Sequence, residues 1–371
     1  MRRFTEDRKY LSIIAILLVL LLLQGCFAKK TGKSAEDLNG DSYKPVIVKD
    51  YFGREVTISK PVNRIACGYA YTGHVVTMLG RANDIVAVVN GLQRDKVLTG
   101  KYPHIKDLPV PFSSGAINME ELLLTKPDLV FLRETTASDE SVTSKLNQLN
   151  IPYIVIEFTS IDEQIESISA IGKAIGEEEK ADRYIAYYKK VMEDTKKVSS
   201  TIPEDERVTL YHSVNEAVRT DIEDSLAADW IKITAGINVS IEDKLKTSGE
   251  KSFATLEQIY LWDPDIIIAN ESGVPDYMLS NEQWAGLRAV KEKRVYQIPN
   301  GVSRWGHPGS LETPLAILWT SKLLYPQYFE HINLEEETKK YYEEFFDILL
   351  DDVEVAEILR GEGMREPKTN K

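Results

Sequence analysis

Cysteine is nearly absent from this chain, with two in 371 residues, Cys26 and Cys67. A disulfide framework is therefore excluded, and the fold must rest on a hydrophobic core. Positive charge is also in deficit: 45 Lys and Arg stand against 58 Asp and Glu, a formal net charge of −13. That balance argues against nucleic acid as a partner. The five histidines never fall in His-x-His or His-x-x-x-His spacing, so no resident metal centre or intrinsic cofactor is expected. Gly-x-Ser-x-Gly, His-Glu-x-x-His, a Walker phosphate loop and Gly-x-Gly-x-x-Gly are all missing. Without them an enzyme is not expected, and a secreted hydrolase remains only as a rival reading.

Long apolar runs are confined to Tyr10 to Leu23, which follow Arg2, Arg3, Arg8 and Lys9. A basic flank, an apolar stretch and a small residue read as a secretory signal over residues 1–25. Its end, Leu23-Gln24-Gly25-Cys26, resembles a bacterial lipobox, in which the cysteine becomes the lipidated N-terminus. This places the protein at the cell membrane on the extracytoplasmic face. The polar, Gly- and Ser-containing residues 26–45 then read as a flexible tether. Cys67, at the end of a strand-like run, is expected to be a buried, inert thiol.

Beyond the tether, the residues around Asp50-Tyr51-Phe52-Gly53 signal a hairpin. Short apolar runs then alternate with helical spacers, the pattern of parallel strands buried on both faces. "INMEELLLTKPDLVFL" at 117–132 returns as "ATLEQIYLWDPDIIIA" at 254–269, with Glu120 and Pro127 answered 137 positions later by Glu257 and Pro264. The plan around each phrase repeats as well. The expected fold is α/β: two Rossmann-like lobes, 46–160 and 201–371, joined by a helical segment at 161–200 with one long helix as a stiff bridge. The ligand cleft would lie between the lobes.

Two α/β lobes, a bridging helix, a lipobox and the paired "E…KPD" and "E…DPD" units together resemble the substrate-binding lipoproteins of iron-siderophore, haem and cobalamin ABC importers. The resemblance runs from about Val46 to the C-terminal helix. It implies capture of a metal chelate, a ferric siderophore first and haem or cobalamin as the alternative. It also implies a permease dimer with ATPase subunits as partner. Glu120 and Glu257 match the family's two docking glutamates, one on each lobe; Glu121 has Gln258 as its counterpart.

In such an architecture the ligand contacts the carboxyl ends of strands. On the first lobe these ends nominate Tyr69, Tyr71 and His74, then Arg133 beside Glu134. On the second they nominate Tyr211, His212 and Asn215, Asn270 beside Glu271, then Arg304, Trp305 and His307. Aromatic rings and guanidinium groups suit an anionic chelate better than a bare ion. For Arg304 the plainer alternative is pairing with an acidic loop.

Overall fold

The computed structural model describes residues 43–113, 115–249 and 251–362. The signal, Cys26 and most of the tether lie outside them. Among the described residues no helix is long and apolar enough to cross a membrane.

The hairpin pairs Val46–Lys49 with Glu55–Ile58 in antiparallel register. Its turn is held by the buried Asp50 carboxylate, which accepts hydrogen bonds from the Arg54 backbone N–H and Nε, each at 3.0 Å. The same carboxylate accepts from the Val155 N–H at 3.3 Å, fastening the hairpin to the first lobe.

That lobe carries four parallel strands in the spatial order Ile85–Ala87, Ile65–Cys67, Leu129–Leu132, Tyr153–Val155. The second lobe repeats the plan with Ile237–Asn238, Thr209–Ser213, Ile266–Ala269, Val295–Gln297. In both, the second strand in sequence lies outside the first, and the third and fourth follow on its other side. Leu129–Leu132 and Ile266–Ala269 are buried at every position, as central parallel strands should be.

Each repeated phrase folds alike. Asn118 and Thr255 cap the helices Met119–Leu124 and Leu256–Trp262, accepting from the N–H groups of Glu121 and Gln258 at 3.2 Å. Just before each proline, Lys126 and Asp263 turn left-handed, with φ of 47° and 37°. The aspartate after the proline then grips the start of the lobe's first strand: Asp128 accepts from the Asn63 N–H at 3.0 Å, Asp265 from the Thr209 N–H at 2.9 Å. Desolvation favours protonation of both, but Lys60 and Asn63 at Asp128, and Thr209 and Arg288 at Asp265, outweigh it. Both carboxyls are held below their ordinary 3.8.

The bridging segment is two helices, Ile161–Ile175 and Glu178–Ser199, the second being the long helix expected. They part at Gly176, whose φ of 75° suits a residue without a side chain. The second, 22 residues long, spans about 33 Å. Beyond the second sheet, Thr313–Leu324 packs on this helix. The next helix, Leu334–Phe346, places Tyr341 and Phe345 against Tyr184 and Tyr187 with ring centres 5.1–6.3 Å apart. At its end Asp347 meets Lys101 of the first lobe at 2.7 Å. The chain therefore closes back on the first lobe.

Candidate functional site

Loops leaving the carboxyl ends of the two sheets meet at Tyr69 and Gly309. The approach is close: a methyl group on Gly309 would lie 2.5 Å from the Tyr69 hydroxyl. On the first-lobe side the Arg133 guanidinium stands 5.0 Å from the centre of the Tyr69 ring, a cation–π distance. Its Nε and Nη2 reach the Glu157 carboxylate at 3.0 and 2.9 Å. On the second-lobe side Arg304 Nη1 donates to Asn215 Oδ1 at 2.5 Å and pairs with Glu271. Asn215 is itself set by its N–H, which donates to Asn270 Oδ1 at 2.8 Å.

Each lobe therefore presents one arginine held by a carboxylate from a neighbouring strand end. The order is crossed. In the first lobe the arginine follows the third strand and the glutamate the fourth; in the second lobe Glu271 follows the third and Arg304 the fourth. The acidic pairing considered for Arg304 is thus present, and it leaves the residue partly exposed.

Tyr69, Arg133, Arg304 and His307 are partly exposed at these strand ends. His307 Nδ1 lies 2.5 Å from the Pro308 carbonyl oxygen. Of the other nominated residues, Tyr71, His74, Tyr211, His212, Asn270 and Trp305 are buried. Tyr71 follows the strand end but points into the bridge, its hydroxyl 2.9 Å from that of Ser167 and its ring 4.8 Å from that of Phe158. Burial pushes its phenol well above the ordinary 10. Tyr211 is equally enclosed and donates to the Ala217 carbonyl at 3.0 Å. His212 Nδ1 sits 2.6 Å from Asp221 within the second lobe, its ring edge-on to Trp230. Trp305 and Asn270 are wholly buried. Asn270 serves the site indirectly, by positioning Asn215.

His74 is buried beside Asp95, with Nε2 to Oδ2 at 3.4 Å. Across from it lies a group that sequence reasoning missed, Glu312. Its carboxylate accepts from the Ser303 N–H at 3.0 Å and the Tyr342 hydroxyl at 2.7 Å. Desolvation still wins and raises its carboxyl above the ordinary 4.5 against these donors and the nearby His74. Gln164 was missed too. It donates to the Ser310 carbonyl at 2.9 Å and accepts from the Tyr188 hydroxyl at 3.0 Å, tying both bridge helices to the seam loop. A signal existed, because Gln164 interrupts the apolar stripe of Ile161, Ile165 and Ile168. Glu157 could have been nominated by the strand-end rule that found Arg133.

Cys67 is buried as expected, and desolvation pushes its thiol up to about 12. Among the described residues no group of three His, Cys, Asp or Glu side chains is placed to hold a metal ion. Glu120 and Glu257 are exposed on their short helices. Glu121 and Gln258 instead turn back to their caps, Glu121 accepting from Asn118 Nδ2 at 3.4 Å and Gln258 from the Thr255 N–H at 2.9 Å.

Two parallel sheets of the same strand order, a helical bridge and polar loops facing one another across a seam define a two-lobed substrate-binding protein. The chain belongs to the periplasmic binding protein family, whose sequence model matches residues 65–301. It is 23% identical over 323 residues to the molybdate-binding protein MolA of Haemophilus influenzae, covering 81% of this chain and 90% of MolA. It is 25% identical over 307 residues to the Fe(3+)-citrate-binding protein YfmC of Bacillus subtilis, covering 79% of this chain and 90% of YfmC. Among solved structures, a periplasmic solute binding protein from Veillonella parvula superposes with a TM-score of 0.73 at 27% identity, covering 85% of this chain and 97% of that one.

Proposed function

We propose that this chain is the substrate-binding lipoprotein of an ABC importer, that it captures an anionic ferric chelate, a siderophore in first place, and that it has no catalytic activity. The carrying observation is the pair of arginines, Arg133 and Arg304, one beyond the strand ends of each lobe and each held by a neighbouring polar side chain. A guanidinium group from each lobe, with the Tyr69 ring beside that of Arg133, matches the carboxylate or phenolate rim of such a chelate. An Fe(3+)-citrate-binding relative supports the same class. Haem or cobalamin is the alternative within the importer class. A compact oxyanion is the second reading, favoured by the close approach of Tyr69 to Gly309 and by the molybdate-binding relative.

The assembly follows from that role. Glu120 and Glu257 dock to cationic side chains of a two-subunit permease that works with ATPase subunits, and lipid on Cys26 holds the carrier at the extracytoplasmic face. Intact-mass analysis of membrane-extracted protein checks the lipid; an unmodified Met1 would refute it.

The ligand test is thermal unfolding of the purified protein with ferric siderophores of each donor type, ferric citrate, haem, cobalamin and molybdate. A true ligand at a hundred times its Kd adds about 2.7 kcal/mol. Dose-dependent stabilisation by a ferric chelate is expected. Stabilisation by molybdate alone would favour the oxyanion reading, and response to none would refute the assignment.

A further inference from the structure

Leu124 and Leu261 are the most exposed large apolar residues in the described chain, at 81% and 85%. A single exposed leucine needs no explanation. These two stand 137 positions apart, at the same place in the repeated unit, and each follows its docking glutamate by four residues. On a helix that spacing puts Leu124 beside Glu120 and Leu261 beside Glu257, one turn along the same face. The opposite face of each helix is spent on its own lobe, where Leu122 and Ile259 are fully buried. The two outward faces thus share one pattern, a carboxylate and then a leucine, although most neighbouring residues of the two helices differ.

We propose that Leu124 and Leu261 are apolar docking knobs, each seating in a hydrophobic socket flanked by a cationic side chain on one subunit of the permease. This rests on the importer reading above. Twofold equivalence in the chain fits a partner with two equivalent subunits. Charge selects against a second copy, because stacking these faces would set Glu120 and Glu257 against like charge in a chain of net charge −13. The division of labour is then defined: the glutamates steer and orient, and the leucines supply desolvated area at the centre of each contact.

The experiment measures affinity of the full chain for its cognate permease–ATPase complex in nanodiscs, at low and high salt. Leu124→Ser and Leu261→Ser should each weaken binding about tenfold and together about a hundredfold, with the salt dependence of the wild type retained. Glu120→Ala with Glu257→Ala should weaken binding and flatten the salt dependence. Leu349→Ser, at a site 78% exposed but outside the repeat, should change nothing. Full affinity in the double leucine variant, beside lost affinity in the double glutamate variant, would overturn the knobs and leave the docking reading standing. No binding by the wild type would overturn the importer reading and this inference with it. A lowered Tm in the leucine variants that accounts for their loss would assign the pair to folding. Self-association of the wild type, abolished by the leucine substitutions while permease affinity is kept, would assign the face to a second copy.

Discussion

Arg304 already has acidic company in Glu271, so an anionic ligand bound as proposed would compete with that carboxylate for the guanidinium. The two side chains should therefore respond to substitution in opposite directions. Arg304→Ala removes a charge-assisted contact and should weaken binding of the identified ligand about ten- to a hundredfold. Glu271→Gln removes the competitor and should tighten it. Titration calorimetry on both variants checks the pair; equal losses would mean that Glu271 itself touches the ligand. Glu312 makes a different prediction. Its raised carboxyl keeps a proton in the native state at pH values where the unfolded chain has released it. Its contribution is fully present below about pH 4.5 and is lost as pH rises through the raised value. Glu312→Gln should flatten the decline of Tm with rising pH across that window. An unchanged slope would show that another group carries it.

At the scale of elements, the Pro-Asp units explain why one phrase is written twice. The left-handed residue ends the helix, the proline forbids its continuation, and the aspartate grips the lobe's first strand across the sheet. Asp265→Ala strips Thr209 of two hydrogen bonds, from its N–H and its hydroxyl, and should cost about 1–3 kcal/mol at neutral pH. Because the folded carboxyl is held low, its stabilisation is present above about 3.8 and is lost as pH falls through the lowered value. The gap between wild type and variant in denaturant unfolding should therefore close in acid. A constant gap would place the effect in packing instead. This element was legible in the sequence because proline and aspartate act locally. The long bridge helix was legible too, because no Gly or Pro interrupts residues 177–199.

For the molecule as a whole, the proposed function assigns capture and delivery to separate surfaces: Arg133 and Arg304 stand partly exposed at strand ends, whereas Glu120 and Glu257 stand exposed on the repeated helices. Glu120→Ala combined with Glu257→Ala should abolish uptake in whole cells and leave ligand affinity in solution unchanged. Glu121→Ala should spare both, because that carboxylate faces its own helix cap. Transport by the double variant at the wild-type rate would mean that the duplication serves folding alone. Wide opening of the lobes is opposed by Gln164, Tyr184 and Tyr188, which hydrogen-bond the two bridge helices to one another and to the loop at Ser310 and Leu311.

Periodicity, punctuation and repetition by themselves determined the two lobes, their parallel sheets, the bridge and the equivalent places of Glu120 and Glu257, because each depends on residues within about one turn or one strand of each other. They also marked the strand ends where Tyr69, Arg133, Arg304 and His307 lie. Only the tertiary structure decided which residues at those ends face outward. Tyr71 stands two positions beyond Tyr69, yet helical rotation turns it toward Phe158 and Ser167. Trp305 is adjacent to Arg304 and is buried while the arginine stays partly exposed beside Glu271. His74, Asp95 and Glu312 come from segments far apart in sequence and form one buried group. A side chain's direction at a strand end is set by what packs beneath it, and those partners come from elsewhere in the chain.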